Sequence, residues 1–381
     1  MAKILHVLQV GYPPEVRAEK TVRSLRQAGH QVYIVARMPR HKSAPSEECL
    51  YLAQSPTLLS QCIPYSPVYT GGIMGAIERW KPDLILTREM LITGSAALAA
   101  RKHHIPVLID MAEPYPEAMR VWNKYNSNPI LRFLTHTARL PDYIEKDAVN
   151  KSKGIIVVCD EHKQRLQHLY ALPDEHIAIV HNTPEIREFD NVKKGVSEKP
   201  SVFGYHGYLT NDRGLDTFIR GFDNAFTSFP HIRLIISGEG SEEQYLRTLA
   251  ASLPSAHAIT FTGVYDAEDL PQLYSDIDFG ITPYRVNGFI NNTISNKNFD
   301  YLLCGKPMLT SLAAPLQRLL HQTGGGIAVN CENPEDIAQG IEQLLSADTH
   351  TMAENGMKYA NAHYTWQHDS ERLVDFIEKY L

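Results

Sequence analysis

The sequence predicts an α/β protein built from two Rossmann-like domains, and three observations carry that prediction. Short apolar runs alternate with segments of helical period along the chain, the pattern of parallel sheets covered by helices on both faces. The 381 residues are more than one hydrophobic core ordinarily serves. A polar, charged stretch from Glu185 to Pro200, with Lys193-Lys194-Gly195 inside it, separates two series of such runs and reads as a linker.

In the first series the opening strand is expected at Ile4 to Val10. The loop Gly11-Tyr12-Pro13-Pro14-Glu15 follows, stiffened by its two prolines, and leads into a helix from which Arg17 is expected to face a ligand. Ala18, Val22 and Leu25 form an apolar stripe, which Gly29-His30 ends. Further strands are expected at Val32 to Ala36, Asp83 to Leu86, Val107 to Asp110, Ile155 to Cys159 and Ile177 to Val180. From Arg37 to Gly72 no period appears, and no element is assigned. The second series gives strands at Val202 to His206, Ile232 to Ser237, Ile259 to Thr262, Asp278 to Thr282, Met308 to Thr310 and Gly326 to Val329. Domains at 1–190 and 196–364 follow, with a closing helix at 365–381 whose stripe is Leu373, Phe376, Ile377 and Leu381.

Composition excludes several classes of function. With 43% hydrophobic residues, 21% charged residues and a net charge of −6, the chain is neither a disordered tail nor a general nucleic-acid binder. An anion site must therefore be local. Cys49, Cys62, Cys159, Cys304 and Cys331 are scattered with no close pair, which argues against a zinc site or a disulfide framework and fits a reducing compartment. The opening apolar run is too short for a signal peptide and no run approaches a membrane span, so a cytoplasmic protein is expected. No metal is expected either. The 17 histidines show no ligand spacing, His181 and His206 read as hydrogen-bonded residues at strand ends, and Asp276-Ile277-Asp278 reads as the start of a buried strand.

Ligands of such sheets gather beyond the carboxyl ends of the strands, so the loops there should carry the chemistry. The segment from Asn291 and Asn292 to Gly305-Lys306-Pro307 reads as a polar loop running into a helix. Amides opening a helix lack partners within it, and that end is electropositive, so Thr293, Ile294, Ser295, Asn296 and Lys297 form a candidate diphosphate site. Asp300 lies one turn on, where a carboxylate would accept from ribose hydroxyls. In Tyr205 to Leu215 the strand-to-helix turn places Gly207 and Tyr208 for close backbone approach and Arg213 for bidentate phosphate contact. Gly238-Glu239-Gly240 and Gly263-Val264-Tyr265 end the next two strands. In the first series the candidates are Gly11, Arg17 and Glu113, the last being the nearest ionisable group of the loop Asp110 to Glu117. Each has a plainer reading: a capped helix, a first-turn arginine, or a glutamate that caps a helix or pairs with an arginine.

Together these loops resemble the donor site of the GT-B glycosyltransferases, specifically glycosyltransferase family 4, and the resemblance spans nearly the whole chain. The family usually carries two glutamates separated by seven residues, where this chain has Asn292 and Asp300. It often has Gly-Arg and Lys-Gly where this chain has Gly207-Tyr208 and Arg213-Gly214, and a histidine where this chain has Ala112. Glu145 also matches a family position. The resemblance implies two Rossmann-like domains whose parallel sheets face across a cleft, with the closing helix returning to the first domain. It further implies transfer of a sugar from a UDP- or GDP-sugar to a glycan or glycolipid acceptor, in surface polysaccharide or glycolipid assembly. Glu113, Arg213 and Lys297 are then the catalytic candidates, with no cofactor, no metal and no nucleic-acid partner. A glycolipid acceptor would bring the protein to the cytoplasmic face of a membrane as a peripheral contact. A sugar-nucleotide epimerase or hydrolase of the same fold, or a sugar-nucleotide binder without turnover, remain as alternatives.

Overall fold

A computed structural model describes residues 1–12, 15–38, 47–52 and 64–381. The chain divides into two compact units, Met1–His181 together with Asp369–Leu381, and Asn182–His368. Each is an α/β unit with one parallel sheet, in agreement with the expected fold class.

The first unit contains β1 (Lys3–Gly11), β2 (Gln31–Arg37), β3 (Cys49–Leu52), β4 (Leu84–Arg88), β5 (Val107–Asp110), β6 (Gly154–Val157) and β7 (Ile177–Ile179). Their order in the sheet is β3-β2-β1-β4-β5-β6-β7, with β1 at the point where the order reverses. There Ile4 pairs with both Val32 and Leu84. Because β1, β4, β5 and β6 are covered on both faces, they read as continuous apolar runs. The strand β3 was not foreseen. It is a four-residue edge strand buried only at its two ends, and it lies in the stretch from Arg37 to Gly72 that shows no period. The rest of that stretch at 39–46 and 53–63, including Cys62, lies outside the described residues, as does the Pro13-Pro14 turn. The helix Pro67–Trp80 begins within the same stretch, with its proline in the first turn, where the missing N–H costs nothing.

The helix Trp366–Glu378 contributes its later part to the first unit. The His181 amide donates to Asp369 Oδ1 at 3.1 Å, and the His30 ring meets the Glu378 carboxylate at 3.1 Å. Leu373, Phe376 and Ile377 are buried. Phe376 and Tyr380 cover Gly154 so closely that a β-carbon there would lie 2.9 and 2.8 Å from their rings and hydroxyl.

In the second unit, β8 (Val202–His206), β9 (Arg233–Ser237), β10 (Ile259–Gly263), β11 (Phe279–Thr282), β12 (Met308–Ser311) and β13 (Gly326–Val329) take the order β10-β9-β8-β11-β12-β13. The polar stretch Glu185 to Pro200 packs on this unit. Phe189 meets the Tyr274 ring edge-on at 5.5 Å, and Lys306 donates to the Gly195 carbonyl at 2.6 Å. Asp278 accepts from the amides of Ser197, Ser201 and Val202 at 2.8, 2.8 and 3.1 Å. Those amides hold its carboxylate below the usual range although burial pushes the other way, which makes it the anchor of that segment. Cys49, Cys159, Cys304 and Cys331 are buried free thiols.

Candidate functional site

The carboxyl ends of β8, β9 and β10 are stitched to one another through backbone. Gly207 N donates to Ser237 O at 2.9 Å, Gly238 N to Gly263 O at 2.7 Å and Leu209 N to Glu239 O at 2.8 Å. Gly238 has φ of +129°, and a β-carbon there would lie 2.0 Å from the Gly207 carbonyl oxygen, so only glycine fits. A β-carbon on Gly240 would meet the Leu209 carbonyl at 2.2 Å. These loops present the exposed side chains of Tyr208, Glu239 and Val264 beside the strand ends.

Lys297 is brought onto this floor. Its ammonium donates to the His206 carbonyl and lies 4.2 Å from the Tyr205 ring centre. Gly207, at φ +130°, leaves the room: a β-carbon there would be 2.7 Å from Lys297 Nζ. Arg213 approaches from the turn after β8, with its guanidinium 4.9 Å from the Tyr284 ring centre, while Lys297 lies 5.9 Å from the same ring. Tyr284 thus has both cations within about 6 Å of its ring centre, and its hydroxyl reaches Ser295 Oγ at 3.3 Å. Burial opposes ionisation of Tyr284, yet Lys297 and Arg213 outweigh it and bring its phenol below the usual range. Burial also lowers the Lys297 ammonium from its ordinary value.

Ser295 caps the helix Asn296–Leu303 in extended backbone without a side-chain capping bond. Its amides are therefore not claimed by that hydroxyl, and they open beside Lys297. Before it, Thr293 is extended and Ile294 turns its side chain into the core, so this segment offers backbone rather than side chains. Asn296 is exposed at the helix start. Asn292 Nδ2 donates to Gly288 O at 2.8 Å and ties its own loop. Asp300 accepts from the Tyr274 hydroxyl at 2.7 Å.

In the first unit the expected role of Arg17 is corrected. Its side chain is 2% exposed, bonded to Asp110 Oδ1 and Oδ2 at 2.7–3.0 Å and to the Val180 carbonyl at 3.2 Å. The guanidinium therefore joins the ends of β5 and β7 instead of facing a ligand. Burial raises the Asp110 carboxyl, but Arg17 and Arg88 outweigh it and hold the group below the usual range. Gly11 ends β1 opposite Arg37. Glu113 is half-buried on the loop between β5 and the helix Tyr115–Val121. Glu145 is fully buried and receives Arg165 at 3.0 Å on each oxygen and the Tyr170 hydroxyl at 2.7 Å, a structural tie.

Sequence reasoning missed Glu89, the residue after β4. It is 7% exposed, has φ of +81° and pairs with Arg88, and its Oε2 is buried without a hydrogen-bond partner. Burial pushes its carboxyl up to about 8 against the opposing Arg88 charge, and the nearby Asp110, Glu113 and Glu15 carboxylates add to the rise. A non-glycine residue held at positive φ at a strand's carboxyl end is a common mark of a functional edge. The only signal in the sequence is a charged pair, Arg88-Glu89, directly after an apolar run.

Two family models match. "Glycosyltransferase Family 4" covers residues 14–184 and "Glycosyl transferases group 1" covers 200–347. The chain is a GT-B member of glycosyltransferase family 4. This family 4 chain is 23% identical over 240 residues to an uncharacterized glycosyltransferase of Methanocaldococcus jannaschii, a match spanning 59% of this chain and 60% of the relative. It is 24% identical over 250 residues to a D-inositol 3-phosphate glycosyltransferase of Corynebacterium urealyticum, spanning 61% and 58% of the two chains. These matches thus extend over about three fifths of the relatives' length. Among solved structures, sucrose-phosphate synthase of Thermosynechococcus elongatus superimposes with a TM-score of 0.76 at 15% identity, covering 100% of this chain and 99% of that one. The HepE protein of Anabaena, solved in complex with UDP, gives 0.73 at 14% identity, covering 99% and 100%.

Proposed function

We propose that this family 4 chain transfers a sugar from a nucleoside diphosphate sugar to an acceptor hydroxyl. One observation carries the reading: Lys297 and Arg213 meet over Tyr284 beside the opening amides of the helix Asn296–Leu303. As the bond between the anomeric carbon and the diphosphate oxygen breaks, its electron pair goes to that oxygen. Two cations and a helix amino end fixed where this charge grows stabilise the departing diphosphate, a contribution that is commonly among the largest in catalysis. Asp300 receives the ribose, and the loops Gly238-Glu239-Gly240 and Gly263-Val264-Tyr265 border the sugar and the base. The acceptor oxygen bonds to the anomeric carbon and gives up its proton. We assign that proton to Glu113 on the first unit.

A UDP- or GDP-linked donor and a glycan or glycolipid acceptor fit this reading. Related enzymes named as GDP-mannose-dependent phosphatidylinositol monomannoside mannosyltransferases and neighbours solved with UDP-glucose support both choices of base. The chain acts without a cofactor at the cytoplasmic face of a membrane in polysaccharide or glycolipid assembly. We read that contact as peripheral; no described helix is long and apolar enough to cross a membrane.

The test is incubation of the protein with a panel of UDP- and GDP-sugars and lipid or glycan acceptors, followed by mass spectrometry of the products. An acceptor heavier by one sugar, with release of the diphosphate, is the expected result. An isomerised sugar nucleotide or hydrolysis alone would replace transfer by epimerase or hydrolase chemistry. Saturable binding without release would make the protein a binder.

A further inference from the structure

Four side chains of the second unit form a directional hydrogen-bond relay. Tyr274 Oη lies 2.7 Å from Asp300 Oδ2 and 2.8 Å from His206 Nε2, and His206 Nδ1 lies 3.0 Å from the Tyr265 hydroxyl. A carboxylate only accepts, so the single phenolic proton of Tyr274 goes to Asp300. Tyr274 must then accept from His206, whose Nε2 carries the hydrogen. Nδ1 of a neutral imidazole is the acceptor and takes the Tyr265 proton. The order is fixed from end to end: Tyr265 donates to His206, His206 to Tyr274 and Tyr274 to Asp300.

Neutrality of His206 is enforced by its surroundings. Burial, and after it the Lys297 charge, hold the imidazole well below its ordinary value, and burial pushes the Tyr274 phenol well up. The ring is also clamped edge-on by aromatic neighbours, with Tyr274 at 5.1 Å, Tyr265 at 5.7 Å and Tyr301 at 5.9 Å between ring centres. Tyr274 has no exposed surface. The relay thus joins the loop after β10 to the carboxylate on the helix Asn296–Leu303, through the carboxyl end of β8.

We propose that Tyr274 and His206 are positioning residues that fix the rotamer of Asp300 toward the donor ribose, making the site selective for ribonucleotides over 2′-deoxyribonucleotides. This rests on the donor site proposed above and adds what orients it. A carboxylate anchored by the Tyr274 phenol on Oδ2 is held in a set orientation, and a ribose hydroxyl then meets a preorganised acceptor.

Calorimetric titration of the whole protein with UDP, GDP and their 2′-deoxy forms tests the idea. The wild type is expected to bind the ribo form of its preferred nucleotide at least about tenfold more tightly, the lower end for a hydrogen bond to a charged group. Tyr274→Phe should reduce that ratio to about twofold or less while leaving affinity for the 2′-deoxy form near wild type, since only the ribose contact is disordered. Asp300→Asn serves as the reference for a site that has lost its anionic ribose partner. Should Tyr274→Phe fail to fold, Tyr265→Phe at the half-buried end of the relay frees the His206 tautomer and should lower the ratio in the same sense. A folded Tyr274→Phe, or in its place Tyr265→Phe, that keeps the wild-type ratio overturns the relay and leaves the donor site standing. A wild type that binds none of these nucleotides overturns the donor site and this proposal together.

Discussion

Lys297 and Arg213 share one aromatic partner but reach it from different elements, a helix and the turn after β8, so each should contribute separately to holding a diphosphate. Replacing either with Ala is expected to weaken nucleoside diphosphate binding or slow turnover by about 1.5–3 kcal/mol, the range for charged hydrogen bonds. Titration calorimetry on both variants checks this, and wild-type affinity with wild-type rate in both would remove the assignment. Glu113→Gln should act differently, cutting turnover about a hundredfold if the carboxylate takes the acceptor proton, with nucleotide affinity unchanged. Glu89 predicts a pH effect of definite sign. Its carboxyl is raised from 4.5 to about 8 in the folded protein, so its contribution to stability is complete below 4.5 and is lost as pH rises through about 8. Urea melts across that window should show stability falling with pH by up to about 1.4 kcal/mol per unit from this proton. Glu89→Gln should remove that component, and an unchanged slope would show that the group titrates normally. Lys297, Arg213 and Asp300 were legible as candidates because charges beside glycine or helix-start signals stand out locally. It missed Tyr284 and Tyr274 because a tyrosine near an apolar strand has the same local pattern whether it fills a core or holds a cation. Arg17 was assigned to a ligand because its partner Asp110 is remote in sequence, and nothing local betrays such a pairing.

Among the elements, the strands expected in each series appear with their ends shifted by a few residues, and β3 is the exception. Strands covered on both faces leave an uninterrupted apolar run, whereas a four-residue edge strand buried at its two ends leaves no period to detect. The glycine loops at the ends of β8 and β9 were legible for a stronger reason: Gly207 and Gly238 adopt positive φ, which the backbone there requires. Gly238→Ala tests this directly. Forcing a β-carbon into φ +129° against the Gly207 carbonyl should cost about 1–3 kcal/mol in backbone strain alone. Because Gly207 also makes room for Lys297, nucleotide affinity should fall along with stability. Thermal melts read beside nucleotide titration check it; a variant with wild-type melting would mean the loops adapt freely.

At the scale of the whole molecule, the first unit is completed by Asp369–Leu381. Full burial of Leu373, Phe376 and Ile377 stabilises by about 1.5–3 kcal/mol each, a sum comparable with the entire stability of an ordinary domain. Deleting Asp369–Leu381 should therefore unfold the first unit while residues 182–368 still bind nucleotide. Thermal denaturation with and without nucleotide separates the two. If the truncated protein melts as the full chain does, the helix is dispensable. The second unit is one continuous run of chain, and the first unit is interrupted by it. During synthesis the ribosome delivers β1 to β7, then the whole second unit, and only afterwards the segment that covers Gly154 and meets His181. The second unit, the nucleotide-binding half in our reading, is thus complete in sequence before the first can close, and the first must wait as an open sheet with an uncovered apolar face. A nascent chain stalled after His368 should accordingly hold nucleotide while its older half remains protease-sensitive.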